Sequence, residues 1–539
     1  ARRDAEDPDY IYLIPQSEES IWSVSTGWDK NRKVYMEFGI DYNRTFGLHK
    51  TTALILYNQS KYYSPSLQYY VPNAYQGLVG RLTYEYASRY LAEFNMGYNG
   101  TENFAKGKRF GFFPAVSLGW VISEEKFFPK NNIVKYLKVR GSYGEVGNDQ
   151  IGGDRFLYLP SSYGAASDSG VNKYNFGLAS NPYTSLMIVE NKIGNPDLTW
   201  EKAKKMNVGV DINLFNNCLT ASFDIFKEKR NNILANRSTS PMIIGANLPA
   251  YNFGEMENRG WEMDLNFRHH IQDFHYWARF NYSFARNEII YMDEVQKRYD
   301  YQMTTGRRKN QFFGLIFDGY YNSWEEINAL DRPKSSWSGN QLQPGDVKYI
   351  DVNQDGVIDD YDMVPIGYTP VPEIIYGFSF GAQYKGFDFS ILFQGADNVS
   401  IKYFGRSMWP FAKGEESAKS LIKERWTQER YEAGEKITFP RLSLNPNGET
   451  DHNYRPSTLW IRDASYLRLK NLEVGYTFTG GFVKRLNLNS VRLYFNGSNL
   501  FTWTDVVDLD PEAPSRSGNV EINTYPLQKV YNIGLNINF

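Results

Sequence analysis

The feature that most limits what this chain can become is strict two-residue alternation carried over unusually long runs. Between residues 205 and 214, Met206, Val208, Val210, Ile212 and Leu214 alternate with Lys205, Asn207, Gly209, Asp211 and Asn213. After Asn216-Asn217 the pattern resumes, with Leu219, Ala221, Phe223 and Ile225 interleaved with Thr220, Ser222 and Asp224. Successive side chains of a strand point to opposite faces, so each run has one apolar and one polar face, and two runs joined by a tight turn read as an antiparallel hairpin. Trp261 to Arg268 and Tyr276 to Phe284 repeat the design, and Tyr531, Ile533, Leu535, Ile537 and Phe539 close the chain with it.

A soluble sandwich alternates too, but its strands are about 5–6 residues long. These runs extend over roughly 10–15 residues, the length that crosses a bilayer at a tilt. Aromatic residues gather near strand ends, as at Phe110, Phe112, Phe113, Trp120, Phe501 and Trp503, and the 41 tyrosines suit interfacial girdles. No stretch approaches the roughly 18 consecutive apolar residues of a membrane helix. The expected fold is all-β, a transmembrane antiparallel β-barrel. Its strands are expected at 33–46, 49–63, 75–88, 90–104, 109–123, 136–148, 198–215, 217–234, 253–267, 274–290, 372–383, 387–398, 465–478, 489–503 and 526–539.

Between these strands short and long connections alternate. Gly47-Leu48, Asn216-Asn217, His269 to Asp273 and Tyr384 to Gly386 are short, whereas 149–197, 291–371, 399–464 and 504–525 are long. Short turns of such barrels face the periplasm and long loops the exterior, which makes residues 1–32 an extracellular segment and 33–539 the barrel portion. The strand count is odd, where single-chain bacterial barrels have even numbers. The expectation is the C-terminal part of a larger barrel, without its first strands.

Charge and reactive groups narrow the function. Lys and Arg total 59 against 61 Asp and Glu, so no unbalanced field points to nucleic acid. Cys218 is the only cysteine, which rules out an intrachain disulfide, and five histidines make a multi-histidine centre improbable. Glu124-Glu125 and Glu325-Glu326 read as solvated turns or the first turn of a loop helix, His269-His270 as a solvated turn, and Gly141 to Gly144 lacks the strand–turn–helix setting of a phosphate loop. No catalytic set stands out, and an enzyme is not expected.

One loop carries a metal-binding pattern. In Asp351 to Asp362, oxygen donors fall at Asp351, Asn353, Asp355, the Val357 carbonyl, Asp359 and Asp362, with Gly356 at the sharp turn. That spacing fits a Ca²⁺ loop of the 12-residue type, although Asp362 replaces the usual bidentate Glu and no helical pattern flanks it. A structural Ca²⁺ stiffening a long extracellular loop is expected, against a metal-free acidic turn. Loop aromatics Tyr320, Tyr321, Trp324, Trp337, Trp409 and Phe411 are candidates for stacking on substrate, or else form loop cores. Residues 412–431 read as an amphipathic helix presenting Leu421, Ile422 and Trp426.

Seven passages in order resemble the SusC/RagA family of TonB-dependent outer-membrane transporters. They are Gly107 to Trp120, Leu137 to Asn148, Asn195-Pro-Asp-Leu-Thr-Trp-Glu201, Gly345 to Asp351, Gly386 to Gly395, Ala464 to Tyr476 and Asn499-Leu-Phe-Thr502. The resemblance implies a 22-stranded barrel with an N-terminal plug and a TonB-interacting segment, neither of which is visible in this sequence. It also implies a SusD-like surface lipoprotein as lid, and import of oligosaccharides or peptides across the outer membrane of a Gram-negative bacterium of the Bacteroidota. Asn207, Asp211, Glu262, Asp264, Arg268 and Arg279 would then line the lumen or touch the plug. A passive porin and a secreted glycan-binding β-protein are the competing readings.

Overall fold

The computed structural model describes residues 2–3, 11–12, 30–67, 70–150, 155–165, 173–178, 183–239, 248–337, 342–403, 409–410, 420–443, 451–507, 509–512, 519–520 and 526–539. Of the segment 1–32, only Arg2–Arg3, paired with Ile11–Tyr12, and residues 30–32 are among them.

Fifteen strands form one sheet: β1 (Arg32–Phe46), β2 (His49–Tyr63), β3 (Asn73–Tyr86), β4 (Tyr90–Thr101), β5 (Phe110–Val121), β6 (Val134–Asn148), β7 (Glu201–Leu214), β8 (Leu219–Ala235), β9 (Tyr251–Ile271), β10 (Phe274–Tyr291), β11 (Ile374–Tyr384), β12 (Phe387–Asp397), β13 (Tyr466–Phe478), β14 (Ser490–Thr504) and β15 (Val530–Asn538). Each pairs antiparallel with its chain neighbours, so the sheet is an up-and-down meander, with every strand where the alternation places it to within a few residues. The expected turn His269 to Asp273 needs correction. Alternation persists through Ile271, whose partner is Phe274, leaving only Gln272-Asp273 as the turn, with Gln272 at φ 51°. The described sheet does not close: β1 pairs only with β2 and β15 only with β14, and all fifteen positions of β1 are exposed.

The register sorts the side chains. Asn43, Thr52, Thr83, Glu93, Ser117, Ser142 and Asn207 stand in one cross-strand row over β1 to β7. Lys138, Asp211, Ser222, Asp264 and Asn281 form another over β6 to β10. The opposite face is apolar and open to its surroundings, with Met206 54%, Val208 58% and Ile225 57% exposed. On β7 that apolar series runs from Met206 to Leu214, roughly 26 Å of strand at about 3.3 Å per residue, which matches a band about 25 Å tall. Beyond it come charges, Lys204 opposite Lys229 and Lys227 opposite Arg259. Aromatic pairs mark both borders: Trp261 stacks on Tyr282 with centroids 4.6 Å apart, and Phe387 meets Tyr476 at 4.4 Å. A polar face, an apolar band and two girdles are the anatomy of a membrane-crossing wall.

Three of the four long connections fold together. Leu315, Val347, Tyr349 and Ile358 from 291–371, Ile401, Trp426, Phe439 and Trp460 from 399–464, and Val506 from 504–525 share a single hydrophobic core beyond the sheet. The fourth, 149–197, carries two small hairpins, Ser161–Ala165 with Ile188–Lys192 and Lys173–Phe176 with Tyr183–Leu186. Just beyond it, Leu198 and Trp200 pack on Phe104 and Phe113. The helix expected over 412–431 is corrected in its described part. A 3₁₀ turn, Ser420–Glu424, gives way to extended chain at Trp426, whose N–H bonds the Phe439 carbonyl at 2.8 Å. A separate short helix, Gln428–Glu432, starts where the Thr427 hydroxyl accepts from the Arg430 N–H.

Candidate functional site

The polar face is a tied, charged surface. Arg140 on β6 lies at its centre: Nη1 and Nη2 donate to the two carboxylate oxygens of Asp224 at 2.6 Å each, and Nε donates to Asp211 at 3.1 Å. Ser222 donates to Asp211 at 3.0 Å, and Asn207 accepts from Arg140 at 3.4 Å. A planar guanidinium satisfies two carboxylates at once, which lets charges stand on a partly enclosed wall. A recess of about 390 Å³ opens beside this network, bounded by Lys50, Glu85, Glu93, Lys138, Arg140 and Asn207. All six residues expected on the inner face stand on it by register: Glu262 accepts from Ser283 at 3.2 Å, Asp264 from Asn266, Arg279 lies over the Trp277 ring, and Arg268 is opposite Trp277. Arg140 is not among the residues expected there, although it sits at a polar position of an alternating run, opposite Gly209.

At the upper rim, Glu373 is nearly buried and shared by Arg286, Arg308 and Asn398, which joins β10, the loop after it and the end of β12. Arg468 on β13, equally buried, donates to Asp510 at 2.6 Å and Glu512 at 2.8 Å, pinning the last loop to the wall.

Above the rim, the loop body is held by one polar pin inside its apolar core. Asp346 accepts from Asn453 Nδ2 at 2.8 Å, from the Gln343 N–H at 2.8 Å and from Arg441. Asn453 in turn accepts from the Val347 N–H at 2.9 Å, and its carbonyl accepts from the Trp460 indole at 2.8 Å. The neighbouring His452 donates from Nε2 to the Val347 carbonyl at 2.8 Å, and its Nδ1 accepts from Ser335 at 3.0 Å. Burial holds that imidazole below its ordinary pKa, against the backbone bond and nearby carboxylates that favour the charged form. Gly345 is required beside Asp346: its φ is +93°, and a Cβ there would stand 2.5 Å from the Trp426 ring.

The aromatic candidates divide. Tyr320 and Tyr321 are buried in loop cores, where packing has taken the faces that a ligand would need. Their burial fits the second of the two readings, a loop core. Trp337 packs half-buried on the same body with Arg455 over its ring at 4.2 Å, and Trp409 leans on Tyr454. Trp324, opening a one-turn helix capped by Ser323, is half exposed. Phe411 lies outside the described residues.

In the acidic loop the oxygens bind backbone. Asp351 Oδ2 accepts from the Gly356 N–H at 2.8 Å, Asn353 from Asp355 at 2.9 Å, and Asp355 from Val357 at 2.9 Å. Asp359 accepts from the Tyr361 N–H at 2.7 Å. Asp362, fully buried, accepts from the Val352 and Asp359 N–H groups at 2.8 and 2.9 Å. Burial raises its pKa, with Asp351 adding to the rise and the backbone donors opposing it. Among the described residues no three His, Cys, Asp or Glu side chains converge on one point.

A sequence profile described as the TonB dependent receptor-like β-barrel matches residues 5–500. The chain belongs to the TonB-dependent receptor β-barrel family. This receptor barrel is 28% identical over 479 residues to TonB-dependent receptor P3 of Formosa agariphila, covering 85% of the chain and 45% of the relative. It is 28% identical over 477 residues to TonB-dependent receptor SusC of Bacteroides thetaiotaomicron, covering 87% and 44%. The chain thus spans about half the length of these curated relatives. Among solved structures, the RagAB peptide transporter superimposes with a TM-score of 0.71 at 22% identity, over 94% of this chain and 56% of that one, which shows the shared fold. The expected resemblance to SusC/RagA proteins and the outer-membrane location are thereby borne out.

Proposed function

We propose that this receptor barrel is the C-terminal wall and loop body of a SusC-like importer that takes up oligosaccharides or peptides through the outer membrane. In this reading the remaining strands and an N-terminal plug belong to the rest of the same transporter, a SusD-like lipoprotein closes over the loops, and TonB pulls on the plug. The observation that carries it is the open meander: fifteen strands with a polar inner face, an apolar outer band and two unpaired edges. A wall of this kind supplies walls and contacts, and the work comes from elsewhere, so no catalytic group is needed. Uptake of labelled oligosaccharides and peptides by whole cells tests it. Import abolished by loss of TonB supports it; uptake unchanged without TonB, with ion conductance by the purified chain alone, establishes the passive porin instead. Solubility without detergent would favour the secreted glycan binder.

The loop Asp351 to Asp362 is, in the same proposal, a structural Ca²⁺ site with ligands Asp351, Asn353, Asp355, the Val357 carbonyl, Asp359 and Asp362. Two observations support it. Asp351 Oδ1 is enclosed without a hydrogen-bond partner, and the Gly356 and Ile358 carbonyls are taken by Lys334 and Ser336, which turns that of Val357 the other way. A bound cation would also offset the cost of ionising buried Asp362. Ca²⁺ is expected to slow proteolysis of residues 334–365 and EGTA to reverse this, with Asp351→Asn insensitive to both; equal cleavage rates with and without Ca²⁺ would remove the metal from the proposal. Trp324, the exposed aromatic, is the substrate-contact candidate retained.

A further inference from the structure

Three of the five histidines and the only cysteine of the chain meet at the lower end of one hairpin. His269 and His270 lie near the end of β9, His275 near the start of β10, and Cys218 before β8, with its Sγ 3.4 Å from His269 Nδ1. Sequence reading makes His269-His270 one solvated turn. In the fold these neighbours belong to opposite faces: His269 continues the apolar series Trp261, Met263, Leu265 and Phe267, whereas His270 continues the polar series Glu262, Asp264, Asn266 and Arg268.

We propose that His270 and His275 form a divalent transition-metal site on the inner face, at the periplasmic end of β9 and β10. The two residues are direct cross-strand partners, one pair removed from Ile271 and Phe274, which close the two-residue turn. In such a hairpin the second pair is the non-hydrogen-bonded kind, with Cα atoms about 4.5 Å apart and side chains at closest approach. Their rings accordingly lie alongside each other, centroids 5.6 Å apart and planes 24° off parallel. Both rings are exposed, and no described group hydrogen-bonds to either one. Small rotations about χ2 bring one nitrogen of each to a common ion, and β9 and β10 hold the two Cα atoms in place by continuous pairing above.

The chemistry selects the ion. Imidazole nitrogen suits Zn²⁺, Cu²⁺ and Ni²⁺, whereas Ca²⁺ and Mg²⁺ require oxygen. With no third His, Cys, Asp or Glu joining among the described residues, water fills the other positions. Cys218 and His269, on the opposite face, take no part.

The test uses the intact transporter purified in detergent without a polyhistidine tag, stripped with EDTA and titrated with CuCl₂ by calorimetry and electron paramagnetic resonance. The resonance of the unsubstituted protein is expected to report two equatorial nitrogens. His270→Asn and His275→Asn are each expected to weaken binding by roughly tenfold or more, while His269→Asn and Cys218→Ser leave it unchanged. Sulfur in the coordination sphere, loss of binding in Cys218→Ser, or undiminished binding in both His270→Asn and His275→Asn would overturn the assignment. Because the resonance is read on the unsubstituted protein, it stands even where a variant misfolds.

Discussion

The wall and the loop body invert one another. In the wall the large apolar side chains point outward and the charges lie inside, while the loops, which in most proteins are thin and polar, hold fully buried hydrophobic residues, Leu315, Val347 and Ile401 among them. The solvent explains the difference. Lipid receives Val208 and Ile225 at no cost, so the wall needs only backbone pairing and a dry outer band. The loops stand in water, where the same residues are stable only against one another. One chain therefore obeys two burial rules, with the boundary at the salt bridges of Glu373 and Arg468.

The sharpest way to break this contrast is within the loop body. Asp346→Ala removes the acceptor shared by Asn453, Gln343 and Arg441, and breaking a buried charged pair of this kind costs about 3–5 kcal/mol. Limited proteolysis should cut the three loops rapidly, whereas the wall keeps its heat-modifiable migration on a gel. Loss of both together would show that the two regions are one cooperative unit.

Next comes the wall itself. Val210→Arg, at mid-height of the outer band, should destabilise the barrel by about 2–4 kcal/mol, the lipid-face value for a midplane cation. Thr220→Arg, on the inner face of the adjoining strand, should change stability by no more than about 0.5 kcal/mol. Equal effects in urea unfolding from bilayers would contradict the assignment of faces.

Acidity should separate the regions without a mutation. The folded pKa of His452 is depressed, so the folded body binds fewer protons than the unfolded chain. Its contribution is complete above the ordinary imidazole value of about 6.5 and fades as the pH falls through that value toward the folded one. Proteolysis of the loops should accelerate on acidification through this range, with the wall unaffected, and His452→Gln should flatten the response. The smallest effect belongs to Tyr320→Phe. The Tyr320 hydroxyl is buried with no hydrogen-bond partner among the described residues, so its removal should be neutral or stabilising by about 1 kcal/mol at most in thermal unfolding.

The contrast also explains what could be read from the sequence. Strands β1 to β15 were legible because a wall facing lipid writes a period of two into every strand, and the inner row from Asn43 to Asn207 follows from it. The loop body was not, because Asp346 and Asn453 are 107 residues apart and nothing local in either segment refers to the other. Tyr320 stays open between ligand contact and loop core in the sequence for the same reason: much of the cluster that buries it arrives from distant stretches. Gly345 to Tyr349 was visible as a motif but acquires a physical meaning only with Trp426 beside the glycine and Asn453 on the aspartate. His270 and His275 show the opposite failure, since closeness in sequence drew notice to His269 instead of the true partner.

The common core of the loops sets an order of assembly. It draws on residues from Leu315 to Val506, and between those points the chain crosses the membrane in β11, β12, β13 and β14. In the proposed orientation, with the long loops outside the cell, the body cannot close until those four crossings are made and the last loop has emerged. Until then its apolar segments are separate and wet, which makes the final step of biogenesis a folding reaction on the far side of the membrane, beyond the reach of periplasmic chaperones.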